Sequence, residues 1–258
     1  MAEQRVLVER LGRVAVVTLN QPDRLNVLNS ALIHDATRAL AELGGDEQLT
    51  VVVLTGAGRA FVAGADVREM RDFGPEEARV FITHLHGLFA TIRGMDQIVI
   101  AAVNGPALGA GCELAAACDL RVAAEDATFG MPEVRVGIPS VIEAALLVPL
   151  IGLSRAAEWV YTGDVVNAPE AARMGFVNRL APAGGAREAA LALARQLAGY
   201  SAAALRLQKA LVRRWYYDES MDRAVKLGID HFAAAFRGPD PREAMTAFLE
   251  KRAPRFGR

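Results

Sequence analysis

Three short runs rich in β-branched residues constrain this chain most: "RVAVVTLN" (13–20), "LTVVVLTG" (49–56) and "QIVIAAVNG" (97–105). Each is apolar almost throughout and ends in Asn or Gly at a turn, the pattern of strands buried on both faces. The segments between them have helical periodicity. In "NSALIHDATRALAELGG" the apolar residues Leu32, Ile33, Ala36, Leu40 and Leu43 recur at helical spacing, and Gly44-Gly45 stops the run. "GPEEARVFITHLHGLFATIRG" opens with Pro75 and two glutamates, as a helix N-terminus should, and ends at Arg93-Gly94. Buried strands alternating with helices predict an α/β fold.

From about residue 186 onward the periodicity is helical only, with breaks at Gly199-Tyr200, Asp218 to Ser220 and "RGPDP". This predicts a C-terminal layer of roughly three helices. Helices with broad apolar faces at a chain end often pack on another subunit, so an oligomer is expected. At 258 residues and 52% hydrophobic content, the chain suits one large domain or a domain with a satellite. A net charge of −1 gives no reason to expect nucleic acid as a partner. The N-terminal "MAEQRVLVERLGRVAVV" carries charges throughout and reads as a strand or hairpin rather than a signal peptide. No run of about 18 uncharged apolar residues occurs, so no membrane span is expected.

Cys112 and Cys118 lie in one small-residue segment, "GCELAAACD". Six residues of helix would separate their Cα atoms by about 9 Å, too far for a disulfide. Reduced structural thiols, and hence a cytoplasmic protein, are expected. The glycines after the strands do not form G-x-G-x-x-G, and neither a phosphate-binding G-x-x-x-x-G-K-[ST] nor G-x-S-x-G occurs. His34, His84, His86 and His231 have no metal-site spacing, and His84 and His86 would point about 200° apart on a helix. They read as surface or half-buried histidines, with no metal expected.

Two segments remain, "RAFVAGADVREM" (59–70) and "NGPALGAGCELAAACD" (104–119). Small residues after an apolar strand let a ligand approach the backbone, and amides at a helix start attract negative charge. One amide from each turn would suit a thioester oxygen that becomes negative during reaction, worth about 3 kcal/mol per donor in the transition state. Glu113, one turn into an apolar helix, and Glu133, after "GMP", would flank such a substrate. The same turns occur in α/β proteins of many kinds, and Glu113 equally suits a cap or an arginine partner.

At these residues the chain resembles the crotonase superfamily, the enoyl-CoA hydratases and isomerases. The resemblance runs through "LNQPDRLNVLN", "VVVLTGAGRAFVAGADVREM", "IAAVNGPALGAGCELAAACDLRVAAEDATFGMPEVRVG", "YTGDVVNAPEAARMGFVNRL" and "DPREAMTAFLEKRAPRF", in the family's order. It implies a spiral of repeated ββα units forming an acyl-CoA-binding core over residues 1–195. A helical C-terminal trimerisation region would follow over 196–258, giving a homotrimer or a dimer of trimers. It also implies that the amides of Ala65 and Ala110 form an oxyanion hole for the acyl-CoA carbonyl, although hydratases often carry glycine at the second position. Glu113 and Glu133 match the two glutamates that hold and activate water. Having both favours enoyl-CoA hydration over double-bond isomerisation, another crotonase reaction or a non-catalytic oligomeric binding module. No cofactor is implied, coenzyme A being part of the substrate. Ala63, Gly64, Asp66, Gly109 and Ser140 would border the substrate. Arg24, Phe248 and Lys251 match positions near coenzyme A, and for Arg24 and Lys251 an ordinary solvated charge is the competing reading.

One departure stands out. Hydratases commonly read G-T-I-P-G-A-G-G-T after the second glutamate, whereas this chain reads "GIPSVIEAALL", one residue shorter and without the glycine-rich loop. "SVIE" has the form of a capping box, predicting Ser140 at the N-cap and Glu143 bonded back to the Ser140 amide. A third carboxylate in the pocket is the alternative for Glu143. Either way, branched side chains replacing glycine should reshape the acyl pocket.

Overall fold

The computed structural model describes residues 4–216 and 237–256. It opens with an antiparallel hairpin, β1 (Val6–Leu11) and β2 (Val14–Leu19), as expected from the charged, alternating N-terminus. Helix α1 (Ser30–Gly44), β3 (Val51–Gly56), α2 (Val67–Met70), α3 (Pro75–Gly94) and β4 (Ile98–Val103) follow. Then come β5 (Ala107–Leu108), α4 (Ala110–Ala117), β6 (Leu120–Ala124) and β7 (Thr128–Gly130). After two 3-10 turns, Pro132–Val136 and Ile142–Leu146, the chain forms α5 (Leu147–Ile151), α6 (Leu153–Thr162), β8 (Val165–Asn167), α7 (Ala168–Met174) and β9 (Arg179–Ala181). Helices α8 (Ala186–Ala198), α9 (Ala202–Tyr216) and α10 (Asp240–Leu249) complete the described residues. The break expected at Asp218 to Ser220, and His231, lie outside them.

The large sheet has the order β1-β2-β3-β4-β6-β9, parallel from β2 onward, and β5-β7-β8 form a smaller one. The expected ββα winding is visible in how the chain leaves each parallel strand. From β2 it bridges Leu28 to Ala65 before α1, and from β3 it bridges Val62 to Ala107 before α3. From β4 it pairs β5 with β7 before α4. Each turn of the spiral thus hydrogen-bonds to the next beyond the strand ends.

The strands are apolar on both faces because both are covered. Val52 and Leu54 of β3 pack with α1 and α3 through Leu32, Leu40, Leu85 and Phe89. Val51 and Val53 face the other way, onto Ala190, Leu191 and Ala194 of α8. In α1 the buried residues are the five picked out by periodicity, and Asn29 caps it by accepting from the Leu32 amide at 2.8 Å. Cys112 and Cys118 are buried free thiols, as expected. No helix among the described residues is long and apolar enough to cross a membrane.

Helix α9 is tied to the sheet by a buried cation. Lys209, 5% exposed, donates from Nζ to the Gln97 carbonyl at 2.7 Å and to Asp119 Oδ2 at 2.6 Å. Asp119 Oδ2 also accepts from the Val99 amide at 2.7 Å. Burial pulls the Lys209 pKa below its usual value, so the ammonium depends on its carboxylate partner. Replacing Asp119 with Ala strands that charge and should lower the unfolding free energy by about 3 kcal/mol in a denaturant titration. Adding Lys209→Met to the same chain should recover part of the loss, since no buried charge then remains.

Candidate active site

The two small-residue turns meet because their backbones pair. The Val62 amide donates to the Pro106 carbonyl at 3.1 Å, and the Leu108 amide donates to the Val62 carbonyl at 3.0 Å. Helix α4 therefore starts hard against the turn after β3. A Cβ on Gly111 would lie 2.0 Å from the Val62 oxygen, so only glycine permits this approach. Gly109 precedes the helix at φ +52° and ψ −120°, a conformation closed to residues with a Cβ. It turns the chain so that Ala110 begins α4 with its amide at the open end of the helix. Among the described residues, the amides of Ala65 and Ala110 meet no acceptor. Both residues line a cavity of about 200 Å³.

The same cavity is lined by Ala63, Gly64, Gly109, Glu113 and Glu133, and its apolar wall includes Met70, Phe81, Ile82, Leu85, Ile138 and Val141. Every residue of α4 is buried, so its single carboxylate, Glu113, stands in apolar surroundings at 4% exposure. Glu113 Oε1 accepts from the Ala144 amide at 3.0 Å. Burial, reinforced by the charges of Glu133 and Glu143, raises the Glu113 pKa from 4.5 to about 9, the Ala144 amide opposing the rise. Glu133, on the Pro132–Val136 turn, accepts from Ser140 Oγ at 2.9 Å through Oε2. Its Oε1 lies 2.8 Å from where a Cβ on Gly109 would stand, so the glycine also leaves room for this carboxylate.

The capping box expected at "SVIE" does not form. Residues Ile142–Leu146 make a 3-10 turn with Val141 at its N-cap and no side-chain cap. Ser140 gives its hydroxyl to Glu133 instead. Glu143 turns inward, its side chain 1% exposed, and pairs with Arg93 at 2.8 Å and with His86 Nδ1 at 3.1 Å. The physical reason is bond strength: a guanidinium–carboxylate hydrogen bond in a buried site outweighs a carboxylate bonded to one amide at a helix end. Nor does Glu143 reach the cavity. It sits behind it, on the segment that carries Ala144.

The other candidates are placed differently. Asp66 is buried, caps α2 by accepting from the Arg68 amide at 3.1 Å, and pairs with Arg24. Neither Asp66, Arg24 nor Ser140 is on the cavity wall. Lys251 lies exposed after α10, at φ +53°. Phe248 falls in α10, and its side chain lies outside the described residues. Two asparagines that the sequence reading passed over hold the turns in place. Asn26, fully buried in a left-handed conformation at φ 55°, donates to the carbonyls of Ala57 and Ala60 at 2.9 Å each and accepts from the Gln21 amide at 2.8 Å. Asn104 donates to the carbonyls of Gly58 and Ala60 at 3.0 and 3.2 Å. The available signal was an asparagine following "PDRL", a turn-forming run, since Asn tolerates positive φ.

The raised Glu113 pKa carries a sign. Between about pH 4.5 and about 9 the folded chain holds a proton there that the unfolded chain releases, so this group's contribution to stability falls as pH rises through that window. Removing the neighbouring charge with Glu133→Gln should move the Glu113 titration to lower pH in carboxyl-13C NMR.

Residues 9–258 match the family model for enoyl-CoA hydratase/isomerase. The chain is 37% identical to the short-chain-enoyl-CoA hydratase of Clostridium acetobutylicum, over 98% of this chain and 97% of that protein. It is also 37% identical to the crotonyl-CoA hydratase of Syntrophomonas wolfei, over 99% of each. The crystal structure of an enoyl-CoA hydratase from Bacillus anthracis superimposes with a TM-score of 0.94 at 32% identity, covering 98% of this chain and 99% of that one. With the fold, the match over nearly its whole length and these relatives in accord, the chain belongs to the enoyl-CoA hydratase/isomerase family.

Proposed function

We propose that this protein is an enoyl-CoA hydratase, adding water across the 2,3 double bond of a 2-enoyl-CoA thioester. The observation that carries this is the placement of two unpartnered amides, Ala65 and Ala110, and two carboxyl groups, Glu113 and Glu133, on one small, largely apolar cavity. The amides bind the thioester oxygen. A water between the carboxyls adds its oxygen to C3 as Glu113 takes the water proton. The double-bond electrons move to C2 and the carbonyl, giving an enolate whose oxygen the two amides stabilise. Glu133 then delivers its proton to C2. The sum is one water added, and passing the proton from Glu113 back to Glu133 restores the pair.

A base with a raised pKa is a strong proton acceptor once ionised. Turnover needs one proton on the pair, carried by Glu133 as the water attacks. kcat/KM should therefore fall as pH rises through about 9, where the proton held at Glu113 is lost from the pair. Ser140 fits this assignment by bonding one Glu133 oxygen and fixing the carboxyl's orientation.

Coenzyme A would enter past Ala63, Gly64 and Asp66. Its nucleotide end would lie near Arg24, which is partly exposed beside Asp66, and coenzyme A would also meet Lys251 and Phe248 of the C-terminal region. The reaction uses only proton transfer and hydrogen bonding, so it calls for no cofactor. The same reading assigns residues 1–195 to the acyl-CoA-binding core and 196–258 to assembly as a homotrimer or dimer of trimers, in a reducing, cytoplasmic setting that suits the two buried thiols.

Purified protein should deplete the conjugated thioester absorbance of crotonyl-CoA or longer 2-enoyl-CoAs. Glu113→Gln and Glu133→Gln should each lower kcat by about 10²- to 10⁴-fold while the thioester still binds. Turnover of 3-enoyl-CoA alone would reassign the reaction to isomerisation, and tight RNA binding without thioester turnover would favour a binding module. Light scattering on the eluted protein should give three or six chains, and a monomer would reject the assembly.

A further inference from the structure

Glu143 is a buried carboxylate that the proposed reaction does not use. It belongs to the segment Ile142–Leu146, whose Ala144 amide is shared between the Val141 carbonyl at 2.9 Å and Glu113 Oε1 at 3.0 Å. The segment begins under strain, for Ile142 is a β-branched residue at φ +41°, and such a conformation persists only where its surroundings hold it. What holds it is the next residue. Glu143 is gripped by Arg93 Nη1 at 2.8 Å and by His86 Nδ1 at 3.1 and 3.2 Å to its two oxygens, both partners coming from α3.

We infer that Glu143 is a positioning residue for Glu113: its ion pair with Arg93 and His86 clamps the strained turn so that the Ala144 amide fixes the Glu113 carboxyl. This rests on the proposed hydration only in making Glu113 the base. The titratable and charged groups that face Glu143 are His86 and Arg93 from α3 and Glu113 from α4. The Glu143 charge also adds to the upward push on Glu113, so the clamp is electrostatic as well as mechanical.

The test follows the Glu113 carboxyl by 13C NMR in ligand-free protein, assigned with Glu113→Gln, alongside turnover of crotonyl-CoA. Glu143→Gln should move the Glu113 titration to lower pH. At each protein's own optimum it should cut kcat about tenfold, with KM changed by less than about twofold. His86→Ala, at a half-exposed position the fold tolerates, should lower kcat about threefold without moving the titration downward, since the charge stays and one anchor goes. Glu143→Gln with an unmoved titration and kcat within about twofold of the parent overturns the inference, even if it melts earlier. Should Glu143→Gln fail to fold, an unchanged kcat in His86→Ala overturns it alone. Parent protein that hydrates no enoyl-CoA, while Glu143→Gln still moves the Glu113 titration to lower pH, sinks the proposed reaction and leaves the clamp standing.

Discussion

The structure depends on backbone pairing beyond the ends of its parallel strands. Leu28 bridges to Ala65, Val62 to Ala107, and β5 to β7, so successive turns of the spiral are bonded where the strands have already stopped. Without those bonds the turns after β3 and β4 would be separate loops, each with an idle amide. With them, two amides from segments about 45 residues apart are held on one cavity by main-chain geometry. Side chains play a supporting part here. Gly111 allows the contact by having none, while Asn26 and Asn104 bind the carbonyls that the bends leave over.

Glu113 and Glu133 line the cavity and Glu143 stands behind it, and each carboxyl is accommodated by a different means. Glu113 is buried with a single amide donor and responds by holding its proton. Glu133 sits at the partly open side with a hydroxyl donor. Glu143 is the most deeply enclosed and has a guanidinium and an imidazole in contact. Unlike surroundings are how neighbouring carboxyls come to do different work.

Much of this was legible in the sequence, for reasons that can be named. The buried face of α1 follows from its period, and the all-apolar strands announced a sheet covered on both sides before α8 was known to cover it. Two glycine-marked turns and two glutamates also stand out in the sequence, though spacing alone leaves their role open and the family resemblance carries it. The "SVIE" box misled because a capping box is a local pattern, and Arg93, 50 residues earlier, competes for the same carboxylate more strongly. Asn26 escaped notice for a related reason. Its partners Ala57, Ala60 and Phe61 offer only carbonyls, which leave no trace in side-chain identity.

Helix α3 lines the apolar cavity through Phe81, Ile82 and Leu85 and holds Glu143 through His86 and Arg93. One rigid rod therefore serves both the space available to an acyl chain and the segment that meets the Glu113 carboxyl. A substitution that tilts or shifts the rod to admit a bulkier acyl group also moves the anchor behind the base. Substrate range and turnover in this protein are thus mechanically coupled, and variants selected for a new acyl group should need compensating changes in residues that never touch it.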